Sequence, residues 1–526
     1  MALKLPFTCC RLLGCFSAPA QILWMLLGIV LLLRVVWGAV TQSMFFDGLI
    51  YASLARNISE GIGTIWRPSF SDGLFPLFSE HPPLMFGMEA LGFLVFGDSI
   101  WVEKTFTITV TLMCCLCFIG IWRRINEDDR ELRPLGAFPL ILALISGRVG
   151  WAFSNNMLEI LVILFTLFAV YLIVTTYGRV ETSFRSRLPA LVLAGLAIAL
   201  AFFTKGPVGL FPLATIGIYA MAFGRPSLKT AIVDTAVLLA VFLAIVGFLT
   251  LFAEPRGSMF RYIDGQVLSS LSGERGSRGG GLKGLWSMVR VNFWLIAISA
   301  LLWGVAHAVA RNAPSDNGFS IMPLPDNRRR KMIFFFLVGL SASAPLLVSP
   351  RIHNFYFNPS LFYFSAAISV ASISAFLYLV SRAPDLTLKR LKMALGLAMT
   401  VSVVVVGASA GRPGPDRDLI ADARTVASVI CPDQQQGSCE RGVLACGAAW
   451  QDTQLHAYLQ RLHKISLIPA DSIPDTVAKY DQMIGDESCT SEQLAPFAPS
   501  EATLSSYQLL VRHKPNQVDD CLLRTG

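Results

Sequence analysis

Long apolar runs, each close to 20 residues and separated by charged breaks, constrain this chain more than any other feature. A helix crossing a bilayer core about 30 Å thick needs about 20 apolar residues. Eleven spans are predicted, near 21–42, 100–122, 135–153, 157–177, 189–204, 206–223, 230–252, 291–310, 332–349, 356–380 and 393–410. A further run, 84–96, is too short to span comfortably. It carries Glu89 and ends at Gly97-Asp98, which reads as a helix lying at the interface. Only 15% of the 526 residues are charged, against about 25% in soluble domains. That excludes a soluble enzyme, a disordered chain and a collagenous chain. No basic, aromatic-interleaved patch appears, so nucleic acid is not an expected partner; membrane lipids are.

The charges sort the chain into two parts. From Gly411 onward there are 10 Lys/Arg and 15 Asp/Glu, a net of −5; the first 410 residues carry the remaining 33 and 20, a net of +13. The expected domains are therefore 1–410, a transmembrane body with outer loops 43–99 and 253–290, and 411–526, a soluble α/β domain. Lys/Arg in the loops set orientation. With the N-terminus in the cytoplasm, the inner segments hold 20 Lys/Arg against 11 in the outer ones, and eleven spans leave the acidic tail outside. The first apolar run is too long for a cleaved signal and no clean small-residue cleavage site follows it, so it reads as a permanent anchor. Five cysteines (431, 439, 446, 489 and 521) lie in the tail, so at most two internal disulfides form there. Within the tail, 442–446, 465–468 and 507–511 read as strands and 452–461 as a helix.

Ionisable residues gather in the outer loops. They include Asp47, Arg56, Glu80-His81-Pro82-Pro83, Glu159 at the start of a span, Lys205-Gly206-Pro207, Arg261, and Arg351-Ile352-His353 with Tyr356 close behind. Charge near a span is expensive and usually faces a bundle interior or cavity. Taken singly, Asp47 and Glu159 suit helix N-terminal carboxylates, Lys205 and Arg351 suit headgroup anchors, and Pro82-Pro83 suits a stiff turn. Taken together, carboxylates, Arg/Lys and aromatics at one membrane surface are what an enzyme needs to bind an anionic lipid headgroup and move a proton.

These residues resemble the motifs of the GT-C-fold integral membrane glycosyltransferases. The likeness is to the protein O-mannosyltransferase superfamily and the bacterial aminoarabinose and galacturonic acid lipid A transferases. Phe46-Asp47-Gly48-Leu49-Ile50-Tyr51-Ala52-Ser53-Leu54-Ala55-Arg56 is similar to the family's acidic segment after the first span. Glu80-His81-Pro82-Pro83-Leu84 resembles its acidic-x-Pro-Pro-Leu motif. Phe203-Thr204-Lys205-Gly206-Pro207-Val208-Gly209 resembles a typical hairpin, and Arg351 to Pro359 resembles the segment opening a late span. The resemblance covers roughly residues 20–380.

The resemblance implies an all-α polytopic membrane enzyme of GT-C type. Its donor would be a sugar on polyprenyl phosphate, and its acceptor a lipid A or core group, another glycan or a protein. The setting would be the outer face of a bacterial inner membrane, with the C-terminal domain periplasmic. Asp47 is then the expected general base, with Glu80 and Glu159 positioning the acceptor, the sugar or a metal. Arg56, His81, Lys205, Arg261, Arg351, His353 and Tyr356 are expected at the phosphate and substrate. The family's first motif often has two adjacent acids, whereas Gly48 follows Asp47; its later carboxylate is usually Asp, where Glu159 stands. Some lipid A transferases carry a His in the middle outer loop that helps bind a metal. Residues 253–290 contain no His, so that role is not carried over and a divalent metal has no ligand motif here. The competing class is a transporter or flippase for lipid-linked sugars or another solute. It predicts internal repeats and polar groups near the midplane, whereas here the charges cluster at one face.

Overall fold

The computed structural model describes residues 17–178, 183–273, 282–311, 324–348, 352–431, 442–471 and 479–513. The chain divides into two compact units. The first comprises Met1–Val40, Glu80–Met85 and Lys104–Ala410; the second comprises Thr41–Ser79, Phe86–Glu103 and Gly411–Gly526.

The first unit is helical. Among the described residues nine helices are long and apolar enough to cross a membrane, or ten if Arg133–Ile145 and Gly147–Ser154, bent by 85°, form one span. The 40-residue stretch Phe184–Phe223 is counted among the nine, but it reverses direction at Gly206. That glycine has φ +75°, and Gly209 lies back against the backbone of Ala201 and Phe202. With its two limbs taken separately, each of the eleven expected segments is present.

Burial grades across the bundle as the sequence requires. Leu158–Tyr177 is apolar all round and 72% buried over its apolar window, whereas Leu282–Arg311 is only 11% buried and turns its apolar side chains outward. A helix of the first kind belongs in a core and one of the second kind faces lipid. One internal charge locks the helices that carry the site: Asp234 is fully buried and accepts hydrogen bonds from Tyr177 Oη at 2.6 Å and Arg187 Nε at 2.8 Å. Intramembrane charge is tolerated when paired in this way.

The second unit is α/β. Its strands are a short antiparallel pair, β1 at Gly63–Thr64 and β2 at Arg67–Pro68, then β3 at Gly442–Ala445, β4 at Ser466–Pro469, β5 at Gln482–Gly485, β6 at Phe497–Thr503 and β7 at Gln508–Arg512, the last five forming one sheet in the order β4-β3-β5-β7-β6. β3 pairs parallel to β4 and β5, and β7 pairs antiparallel to β5 and β6. Cys446 and Cys489 form a disulfide. The Thr453–His463 helix starts at Asp452, whose side chain accepts from the backbone N–H groups of Gln454 and Leu455. It ends at Lys464 in the left-handed region (φ 58°).

The sequence assigned 43–99 to the membrane domain, yet much of it groups with the tail. The reason is burial. In the Phe46–Ser59 helix, Gly48 through Asn57 are all buried, and Ala52 and Ala55 pack against Ala90, Phe93 and Val102. The expected interface segment is a 13-residue helix, Leu84–Phe96, whose last turns expose Leu91, Leu94, Val95 and Phe96.

Candidate active site

The densest chemistry in the first unit lies where three helix ends meet. Glu159 is in the first turn of Leu158–Tyr177 and Lys205 in the last turn of Phe184–Lys205. The partial positive end of the first helix therefore faces a carboxylate, and the partial negative end of the second faces an ammonium. The two side chains form an ion pair, with side-chain exposures of 11% for Lys205 and 2% for Glu159. Lys205 Nζ also lies 4.8 Å from the Tyr356 ring centroid and 5.4 Å from that of Phe355. His353 stacks on Phe355 with centroids 5.4 Å apart and planes 18° from parallel. The ammonium is thus held between a carboxylate and two aromatic faces, a setting worth more where water is excluded.

Gly206 is required at this corner. A Cβ there would sit 2.0 Å from Tyr262 Oη, and the hydroxyl donates to the Lys205 carbonyl oxygen at 3.3 Å. Burial pushes the Tyr262 hydroxyl above its usual titration range, so it stays a donor. Tyr262 closes the Ala253–Tyr262 helix, which also carries Arg261, half-buried one residue earlier.

Beside this corner is a shallow, open and largely apolar depression. It is lined by Pro82, Pro83, Phe202, Phe203, Met259 and Tyr262, among others. Pro82 and Pro83 are both buried and follow Glu80 and His81, which are half-buried. The structure thus draws Glu159, Lys205, His353 and Tyr356 into one cluster. It brings the Glu80-His81 segment, through its prolines, to the helix of Arg261 and the end of the helix of Lys205. Arg351 lies outside the described residues.

Asp47 and Arg56 lie in the second unit. Asp47 is half-buried in the first turn of Phe46–Ser59, where a carboxylate suits the helix dipole. Arg56 has surroundings quite unlike a phosphate site. It is 1% exposed, Nη1 donates to the carbonyls of Gln460 at 2.9 Å and Arg461 at 3.1 Å, and Nε and Nη2 donate to Asn57 Oδ1. Burial first, then the neighbouring Arg461 charge, lower its pKa to about 10. Its donors are consumed in holding the second unit together.

Arg461 was not singled out from the sequence. It is 2% exposed, donates to both oxygens of Glu103 at 2.9 Å and to Asp98 at 2.7 Å, and lies over the Phe93 ring. Burial pulls its pKa down, but Glu103 and Asp98 outweigh that and hold it above the ordinary value. The available signal was its place three residues after Tyr458, on the buried face of its helix. Among the described residues no group of three or more His, Cys, Asp or Glu is arranged to hold a metal ion.

Comparison with known proteins bears on this geometry. Residues 80–250 match the family model described as dolichyl-phosphate-mannose-protein mannosyltransferase. No curated protein sequence matches significantly. Among solved structures, ArnT from Cupriavidus metallidurans bound to undecaprenyl phosphate is 14% identical with a TM-score of 0.58, covering 94% of this chain and 98% of that one. Its apo state is also 14% identical with a TM-score of 0.58, covering 93% and 97%. The oligosaccharyltransferase AglB from Archaeoglobus fulgidus, solved with an inhibitory peptide and a dolichol phosphate, is 15% identical. It covers 89% of this chain and 69% of its own, at a TM-score of 0.47, below the level that carries a fold argument. By the likeness to ArnT over nearly the whole of both chains, this protein has the GT-C fold of integral membrane glycosyltransferases.

Proposed function

We propose that the chain is an integral membrane glycosyltransferase that moves a sugar from a polyprenyl-phosphate donor to an acceptor, with inversion. The observation that carries this reading is the Lys205 corner: a cation held by Glu159 and two aromatic rings, beside an apolar pocket bounded by Pro82, Pro83, Phe202 and Phe203. A polyprenyl phosphate sugar offers the same pairing, an anionic group joined to an isoprenoid chain. The undecaprenyl phosphate bound by the similarly folded ArnT supports that choice of ligand.

In the reaction, the acceptor oxygen or nitrogen attacks the anomeric carbon, its bond to that carbon forms, and the carbon–oxygen bond to phosphate breaks. Asp47 takes the acceptor's proton as general base. The leaving phosphate carries the released electron pair, and Lys205, Arg261 and Arg351 are assigned to its charge, with His81 and His353 as hydrogen-bond donors. Glu80 and Glu159 position the reactants, and Tyr356 lines the site. The acceptor class is lipid A or core, another glycan, or protein. The setting is the periplasmic face of the inner membrane, with the N-terminus cytoplasmic and the C-terminal unit periplasmic. That orientation follows from the Lys/Arg bias of the loops.

The test is Asp47→Asn in reconstituted full-length protein, which keeps size and removes basicity. Transfer is expected to fall by about 100-fold or more; near-wild-type transfer would refute the base assignment. Mass spectrometry of lipid A, core oligosaccharide and exported proteins from a deletion strain identifies the acceptor. Unchanged glycans would count against a transferase.

A further inference from the structure

We propose that Glu159 and Asn358 together read the hydroxyl groups of the transferred sugar, an inference that rests on the transferase reading above. Glu159 gives one carboxylate oxygen to Lys205, while the other, Oε2, is fully buried and has no hydrogen-bond partner among the described residues. Asn358 is 0% exposed and starts the Asn358–Arg382 helix. Its Nδ2 donates to the Arg148 carbonyl at 3.3 Å, which fixes the amide's orientation, and its Oδ1 has no partner among the described residues.

The two residues flank one corner. Asn358 follows Tyr356 by two residues, the Tyr356 ring faces Lys205 Nζ at 4.8 Å, and Lys205 holds Glu159. Buried polar atoms are seldom left unpaired, because desolvation is then uncompensated. Both atoms are acceptors, so whatever completes them must donate. A phosphate diester or monoester dianion is rich in acceptors and cannot do so. Sugar hydroxyls can, and a neutral donor suffices because Lys205 already balances the Glu159 charge. This separates the labour at the corner: Lys205 serves the phosphate side, and the two buried oxygens serve the glycosyl side.

Full-length protein in liposomes tests this, with mannosyl, glucosyl, galactosyl and 4-aminoarabinosyl phosphates of decaprenol as probes. Solubilised membranes supply the acceptor, and release of decaprenyl phosphate is the readout. The preferred donor is then compared with its mono-deoxy analogues. Wild-type protein is expected to lose about 10- to 100-fold in kcat/KM on at least one analogue, since a missing hydroxyl strands a buried acceptor. Asn358→Leu, or Asn358→Ala if leucine prevents insertion, transfers the parent sugar more slowly but shrinks that discrimination to within about 3-fold. Asn358→Asp keeps an acceptor oxygen and retains the discrimination. Undiminished discrimination in both apolar variants overturns the proposal and assigns the oxygens to ordered water. Release from none of the four donors by wild-type protein overturns the transferase reading itself, and this inference with it.

Discussion

Replacing Lys205 with methionine removes the ammonium while keeping most of the side chain's length. The structure sets the cost. Glu159 is 2% exposed and one of its two oxygens lacks a partner among the described residues, so the variant takes away the counter-charge of a buried carboxylate. Breaking a buried pair from one side costs about 3–5 kcal/mol. The 11% exposure of Lys205 argues for the lower end, and loss of the contacts with the Phe355 and Tyr356 rings adds about 0.5–1 kcal/mol. At about 2 °C per kcal/mol, thermal unfolding of purified protein in detergent should fall by roughly 6 °C or more. The double variant Glu159→Gln, Lys205→Met removes the stranded charge and should recover most of that loss. Transfer activity should stay low in both. A single variant that melts within about 1 °C of wild type refutes the buried-pair account, as does a double variant no more stable than the single.

Other expectations concern the second unit. Arg461→Met strands Glu103, which is 1% exposed, and should cost about 3–5 kcal/mol in unfolding by denaturant; Arg56→Met should likewise lower stability, and its donor KM should not be selectively raised. Reduction of the Cys446–Cys489 disulfide, which closes 43 residues, should destabilise this unit by about 4 kcal/mol, read as a lower melting temperature in dithiothreitol. His456 and His463 are both held below the ordinary 6.5, chiefly by burial. The unfolded chain therefore binds more protons than the folded one below that value, so stability is lost as pH falls under about 6.5. His463→Gln should flatten that loss in a melting series from pH 8 to pH 5.

The spans were legible because a bilayer enforces length and apolarity together, and every expected segment is helical. The charged cluster was legible piecewise. Glu159 and Lys205 each stand at a span end, but that they meet depends on two neighbouring helices running in opposite directions. Arg56 shows the limit. Its motif context suggested an anion ligand, whereas its partners are carbonyls 404 and 405 residues away, which no local pattern announces. That Arg461 pairs with Glu103 was unreadable for the same reason, the two standing 358 residues apart. β5 and β6 were missed on local grounds: β5 offers only Met483 and Ile484 as apolar residues between Gln482 and Gly485, and β6 contains Pro499 with Ser500, Glu501 and Thr503. Asn358 appeared only as a letter within a motif, because a missing hydrogen-bond partner exists only in three dimensions.

The second unit is assembled from the beginning and the end of the chain, and this gives its biogenesis a waiting period. Arg56 emerges 404 residues before Gln460, whose carbonyl it needs. At about 5–20 residues per second, synthesis of the intervening chain takes roughly 20–80 s. Throughout that interval the Arg56 guanidinium lacks the two tail carbonyls that complete its site. Translation of the last span and tail is thus the event that licenses folding of a segment made at the outset. A ribosome stalled after the last span and before Gln460 would leave an inserted membrane body with an unfinished soluble half.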